Sequence, residues 1–258
     1  GMLRLPVNFG LPRAILPPMG FSPSSAVRFG WETFKKRPWF FAGAFVLILI
    51  AQSVVEGLSR LIDAPFGGAE ADHALLGGIV SLALSTLISM GVTAFALAAH
   101  DTPDTVEFSA LWHPHPFWKY LGLTILFSLM ILAGVLLGFA LVAALGLEAG
   151  LAIGIPLLVV LGVILALTLL FSGFLVIDRG LGPIQALKES HRITRGYKWS
   201  LFGLSMLLVL INLAGLLALF VGIFVSAPVS LLALTHAYRV LGGGEGGATR
   251  PADAALAA

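Results

Sequence analysis

The chain contains no cysteine, so disulfides, thiolate zinc sites and thiol catalysis are excluded. Charge is the second scarcity. Asp, Glu, Lys and Arg make up 11% of the residues, against roughly 25% in a soluble domain, and water cannot be the main solvent for such a surface. A third scarcity lies inside the apolar runs, where the deep polar groups are the uncharged Gln52 and Asn212, while Glu56 and His236 sit near opposite ends. Proton- and sodium-coupled transporters place ionisable groups at mid-membrane, so their absence weighs against coupled transport. No nucleophile elbow and no HExxH pair occurs. No cofactor and no nucleic-acid partner is expected.

Hydrophobic residues, by contrast, make up 58% of the 258 positions. They gather in runs of about 20 residues, enough to cross ~30 Å of hydrocarbon as helix. The expected fold is all-α, a polytopic membrane protein with six transmembrane helices in three hairpins, each preceded by a cytoplasmic interfacial helix or segment. The spans fall at about 39–62, 74–99, 117–145, 151–177, 199–216 and 221–241 within one domain, 22–241. Residues 1–21, with Arg4, Arg13 and several prolines but no apolar core of signal-peptide length, are expected to form an irregular cytoplasmic arm. The Gly- and Ala-rich 242–258 is expected to be a disordered tail. Turns are expected over 146–150 and 215–222, the second being the less sharply marked.

Between these runs lie polar islands. Ser22 and Pro23 read as an N-cap and first helical residue. They open an amphipathic helix with Val27, Trp31 and Phe34 on one side and Arg28, Glu32 and Lys35 on the other. A second island, His100 to Pro116, accommodates a short helix near Val106 to Trp112. Its His100, Asp101, Asp104, His113 and His115 are the weak candidates for a metal site, because imidazole and carboxylate are suitable ligands although the spacing fits no established pattern. The third island carries a helix from Pro183 with Lys188, Arg192 and Arg195 in one narrow sector and Ala186, Ser190, Ile193 and Tyr197 in another. Within the second span, Gly77, Ser81, Ser85, Ser89 and Thr93 recur every four residues, as a stripe for close helix packing or for lining a path.

The six spans put every Lys and Arg except Arg60 on one side, a strong positive-inside pattern. Both termini are therefore expected in the cytoplasm, and the membrane to be the inner membrane of a prokaryote. An offset of 160 residues pairs Ala26 with Ala186, Arg28 with Lys188, Lys35 with Arg195, Trp39 with Trp199 and Gly43 with Gly203. Trp118 and Gly122 extend the pattern to a middle unit, where Glu107 and Pro114 replace the basic residues. The chain thus reads as three units of interfacial segment plus hairpin.

The run Val176 to Gly196, with Asp178, Arg179, Gly180, Leu181, Gly182, Pro183, Ala186, Leu187, Ser190, Arg192, Thr194 and Gly196, resembles an uncharacterised prokaryotic membrane family. Its members are often labelled glycerophosphoryl diester phosphodiesterase membrane domain. Phe29, Gly30, Trp31, Phe34, Lys35 and Pro38 resemble its N-terminal helix, and Pro228 to Arg239 its last span. The resemblance implies a six-helix membrane domain, in some members joined to a phosphodiesterase, and brings no activity of its own.

The expected function is non-catalytic: binding of anionic lipid headgroups at the cytoplasmic interface through Arg28, Lys35, Lys188, Arg192 and Arg195, in lipid handling or membrane organisation. The expected partners are membrane phospholipids, with a homo-oligomer or other membrane proteins beside them. Two alternatives stand next to it: a permease for a small or lipid-like solute along the serine stripe, and a membrane enzyme built on the His/Asp island.

Overall fold

Residues 21–63, 74–218 and 221–246 are described by the computed structural model. The chain order is α1 Pro23–Lys36, α2 Pro38–Asp63, α3 Ala74–Asp101, a 3₁₀ turn Phe108–Leu111, α4 Phe117–Leu145, α5 Leu147–Leu169, α6 Ser172–Arg179, α7 Pro183–Thr194, α8 Lys198–Leu217 and α9 Ile223–Gly246. Six helices, with α5 and α6 joined as one, are long and apolar enough to cross a membrane. The arm up to residue 20, most of the loop after Asp63 and the tail beyond 246 lie outside the described residues.

Several boundaries differ from expectation for local reasons. The turn after α4 is Gly146 alone, whose φ of 81° suits a residue without Cβ. Helix α5 resumes at Leu147, with Gly150 inside it packed on the backbone of Val142. Gly215 likewise belongs to α8 and meets Gly222 across the hairpin, so that turn begins later, at Ala218. Gly242 to Gly246 continue α9 rather than opening the tail. Around Val106 to Trp112 the expected helix shrinks to one 3₁₀ turn.

The fourth span holds a break just before the Ser172 and Gly173 pair, a combination that weakens a helix. Helix α5 stops at Leu169, Phe171 leaves helical geometry at φ −100° and ψ 3°, and α6 starts at Ser172. Helix α7 repairs the break from the side. The Phe171 N–H donates to Ser190 Oγ at 3.2 Å, and Ser190 Oγ donates to the Thr168 carbonyl at 2.9 Å. Backbone polar groups buried in an apolar medium must find such partners.

The short segments pack between hairpins in a cyclic order. Helix α1 lies on α9 and α8, α7 on α5, α6 and α4, and the 3₁₀ turn on α3, with Phe108 of that turn also against Phe40 of α2. Small residues set the approach. A Cβ on Gly30 would stand 2.5 Å from the Val229 carbonyl of α9, and one on Gly91 of α3 would overlap the Leu111 carbonyl. The buried face of α1 is therefore Ala26, Gly30, Thr33 and Phe34, while Trp31 turns outward, 46% exposed. The apolar side expected from Val27 and Trp31 is rotated because close backbone approach to α9 decides the face.

In α7 the buried residues are Ala186, Ser190, Ile193 and Thr194, each 160 positions after its counterpart in α1. Phe41, Ala44 and Val55 of α2 and Leu201, Leu204 and Gly215 of α8 keep the same offset. The hairpins also share a polar staple. Gln52 donates to Ser85 at 3.2 Å between α2 and α3, and Asn212, again 160 residues later, joins Ser226 and Ser230 between α8 and α9.

Candidate functional site at the basic end

Helices α2, α4 and α8 begin at one end of the bundle with Trp39, Trp118 and Trp199 in their first turns, each at least 79% exposed. Indole rings in such positions suit the membrane–water boundary. Helices α3, α6 and α9 run to the same side, and the ends of α3 and α6 meet the second half of α9. Arg239 donates to Asp178 at 2.9 Å and to Asp101 at 2.6 Å, so one guanidinium from α9 holds carboxylates from α6 and α3. Its planar fork fits two acceptors at once. The Tyr238 hydroxyl donates to the second Asp178 oxygen at 2.7 Å.

On the other side of Asp101, its carboxylate lies 3.1 Å from His100 Nδ1, and His100 Nε2 lies 3.2 Å from His236 Nδ1. With both imidazoles neutral, a proton on His100 Nδ1 serves Asp101 and leaves Nε2 as acceptor for His236. Phe29 of α1 stacks on the His236 ring at 4.2 Å. A continuous polar chain from His236 to Tyr238 thus ties three spans together and reaches α1 through Phe29.

This chain consumes part of the expected metal set. Asp101 serves Arg239, Asp104 takes Lys36 at 3.1 Å, and His100 faces His236. His113 and His115 are exposed on the segment before α4. The five candidates are not brought together, and no group of three or more potential ligands converges among the described residues.

The lipid-binding candidates also divide. Arg28 is closed into a pair with Glu32 at 2.7 Å, which raises the arginine pKa and lowers the glutamate's through their shared hydrogen bond. Arg192 binds Glu189 through two nitrogens at 2.9 and 2.8 Å, and Arg179 of α6 reaches the same carboxylate at 3.0 Å. These contacts, the Arg192 hydrogen bond first, hold Glu189 below the usual carboxylate range. Lys35, Lys188 and Arg195 remain exposed, with no ion pair among the described residues. Lys35 is 5.9 Å from the Trp31 ring. Glu189 is the residue that sequence reasoning missed; its spacing of three from Arg192 on a helix was the available signal.

The serine stripe does not form one face. A four-residue step overshoots a 3.6-residue turn by about 40°, so five positions wind around α3. Gly77 meets Asp63, Ser85 meets Gln52, Ser89 is exposed and Thr93 comes within 3.4 Å of the Tyr120 hydroxyl. Ser81 is half-buried.

Fold and composition define an α-helical multi-pass membrane protein. Residues 117–252 match a family described as a domain of unknown function (DUF7847). The match spans more than half of the chain, which belongs to that family. No curated protein and no solved structure matches the chain.

Proposed function

We propose that this is a non-catalytic protein of the prokaryotic cytoplasmic membrane whose basic end faces the cytoplasm and binds anionic lipid headgroups, in lipid handling or membrane organisation. The observation that carries the reading is that Lys35, Lys188 and Arg195 are exposed and outside any ion pair among the described residues, on the segments that lead into the helices opened by Trp39 and Trp199. Arg28 and Arg192 belong to the same basic surface, each exposed and also paired with a glutamate, Glu32 and Glu189. An internal repeat belongs to it too, its first and third units supported by the buried positions that recur at an offset of 160. The winding stripe on α3 supplies no continuous lining for a permease, and the ion pairs of Asp101 and Asp104 leave little for metal chemistry.

Native mass spectrometry of protein extracted with mixed lipid tests the idea. Each cationic side chain near an anionic surface contributes about 1 kcal/mol, roughly fivefold in binding. The double variant Lys188→Gln/Arg195→Gln should therefore retain markedly less phosphatidylglycerol than the parent protein. Equal retention by the two proteins would sink the reading.

A further inference from the structure

We infer that the groove between α4 and the start of α7 seats one acyl chain of an anionic phospholipid, whose phosphate rests between Lys119 and Lys188; this deepens the lipid-binding reading and rests on it. The groove has a volume of about 370 Å³ and is walled by Gly122, Ile125, Leu126 and Leu129 of α4 and by Pro183 and Ile184 of α7. Its origin is local. Gly122 lets the head of α7 close on α4, with Pro183 Cγ 2.9 Å from the place of a Cβ, and the groove runs beside that contact. Helix α4 packs on α5, α3, α6 and α7 but fully buries only Leu123, and Ile125 and Leu129 at the groove are exposed within the chain.

The occupant follows from solvent and charge. Helix α4 is one of the membrane-crossing helices, so the groove opens toward hydrocarbon, and its carbon-rich walls offer water almost nothing to bond. At its polar end, one turn before Gly122, Lys119 donates to the Gly180 carbonyl at 2.7 Å, which holds its ammonium beside the loop into α7. An ammonium has three donors, and this contact uses one. Lys188 stands one turn beyond Ile184 on the same exposed face of α7, with no ion pair among the described residues. One cation a turn before the groove wall on α4 and one a turn after it on α7 complement a lipid with a hydrocarbon tail and an anionic phosphate.

The test uses the full chain, incubated in detergent with equal phosphatidylglycerol and phosphatidylcholine, and counts bound lipid by native mass spectrometry. Ile125→Trp and Leu129→Trp each fill the groove from an exposed position, and either suffices if the other fails to fold. Both should lose one tightly held lipid, whereas Lys119→Gln/Lys188→Gln should keep lipid but lose about tenfold or more of its preference for phosphatidylglycerol. Inorganic phosphate at millimolar concentration should not displace the lipid, since it lacks a chain; displacement would overturn the seat. An unchanged lipid count in both tryptophan variants would also overturn it while leaving the general reading intact, provided Lys188→Gln/Arg195→Gln still lowers retention. No phosphatidylglycerol preference in the parent protein would overturn both.

Discussion

Position 30 and position 190 stand 160 residues apart and solve one packing problem in two ways. Gly30 meets an unbroken stretch of α9, where the Val229 carbonyl leaves no space for a Cβ. Ser190 meets the broken fourth span, where a hydroxyl is needed to accept from Phe171 N–H and donate to the Thr168 carbonyl. The two residues should not be exchangeable. Gly30→Ser forces α1 off α9, an overpacking cost of about 1–3 kcal/mol. Ser190→Gly strands a buried N–H, a loss of about 1–3 kcal/mol. Thermal unfolding in detergent should show a lower midpoint for each. Gly57→Ala, where nothing lies within 4 Å, should leave the midpoint unchanged or slightly raised. Exchange variants as stable as the parent would refute the packing argument.

At the scale of elements, α7 is held by charge as well as by its buried face. Glu189 bridges Arg192 of its own helix and Arg179 of α6, and its folded pKa lies below the ordinary value. A depressed carboxylate stabilises the fold at pH above its unfolded pKa, about 4.3, and that contribution disappears as pH falls through the lower folded value. The unfolding midpoint should therefore fall on acidification below about pH 4.3, and Glu189→Gln should start lower at neutral pH and show a shallower acid slope. Identical slopes in the two proteins would remove Glu189 from the account. The long elements were legible in the sequence because membrane solvent demands unbroken apolar runs, and α2, α4 and α8 end within a residue or two of their expected limits. The break at Leu170 and Phe171 was legible only in part: Ser172 and Gly173 mark a weak point in the helix, but the Ser190 hydroxyl that satisfies the freed Phe171 N–H comes from another helix, nineteen residues on. The face of α1 was misread for a related reason: Trp31 satisfies helical periodicity, but backbone contact at Gly30 sets the rotation. At the site, exposed Lys188 and Arg195 followed from periodicity, whereas the partners of Arg192 and Asp101 depended on tertiary placement.

For the molecule as a whole, the order of packing implies closure. Pro23 at the head of α1 touches the place of a Cβ on Gly203 of α8 at 3.5 Å, and Pro183 at the head of α7 does the same to Gly122 of α4 at 2.9 Å. Phe108 of the 3₁₀ turn approaches Gly43 of α2 at 3.9 Å. Each segment thus leans on the glycine one turn after the boundary tryptophan of another hairpin: first unit on third, third on second, second on first. Three such contacts form a ring, and the Arg239 pairs with Asp101 and Asp178 bind the ends of α3 and α6 to the second half of α9. A ring explains how α1, far in sequence from α8 and α9, is part of the fold rather than an appendage. The absence of native cysteine makes this directly testable, because disulfides form only between Cβ atoms about 3.5–4.5 Å apart. In mild oxidant, Pro183→Cys/Gly122→Cys, whose Cβ positions are 4.0 Å apart, should cross-link, as should Pro23→Cys/Gly203→Cys, where Pro23 Cγ is 3.5 Å from the place of the Gly203 Cβ, as read by mass spectrometry of the digested protein. Pro23→Cys/Gly122→Cys, which joins segments that do not lean on one another, should remain as free thiols. Cross-linking in that third pair at the rate of the first two would show that the segments exchange partners and that the ring is not closed.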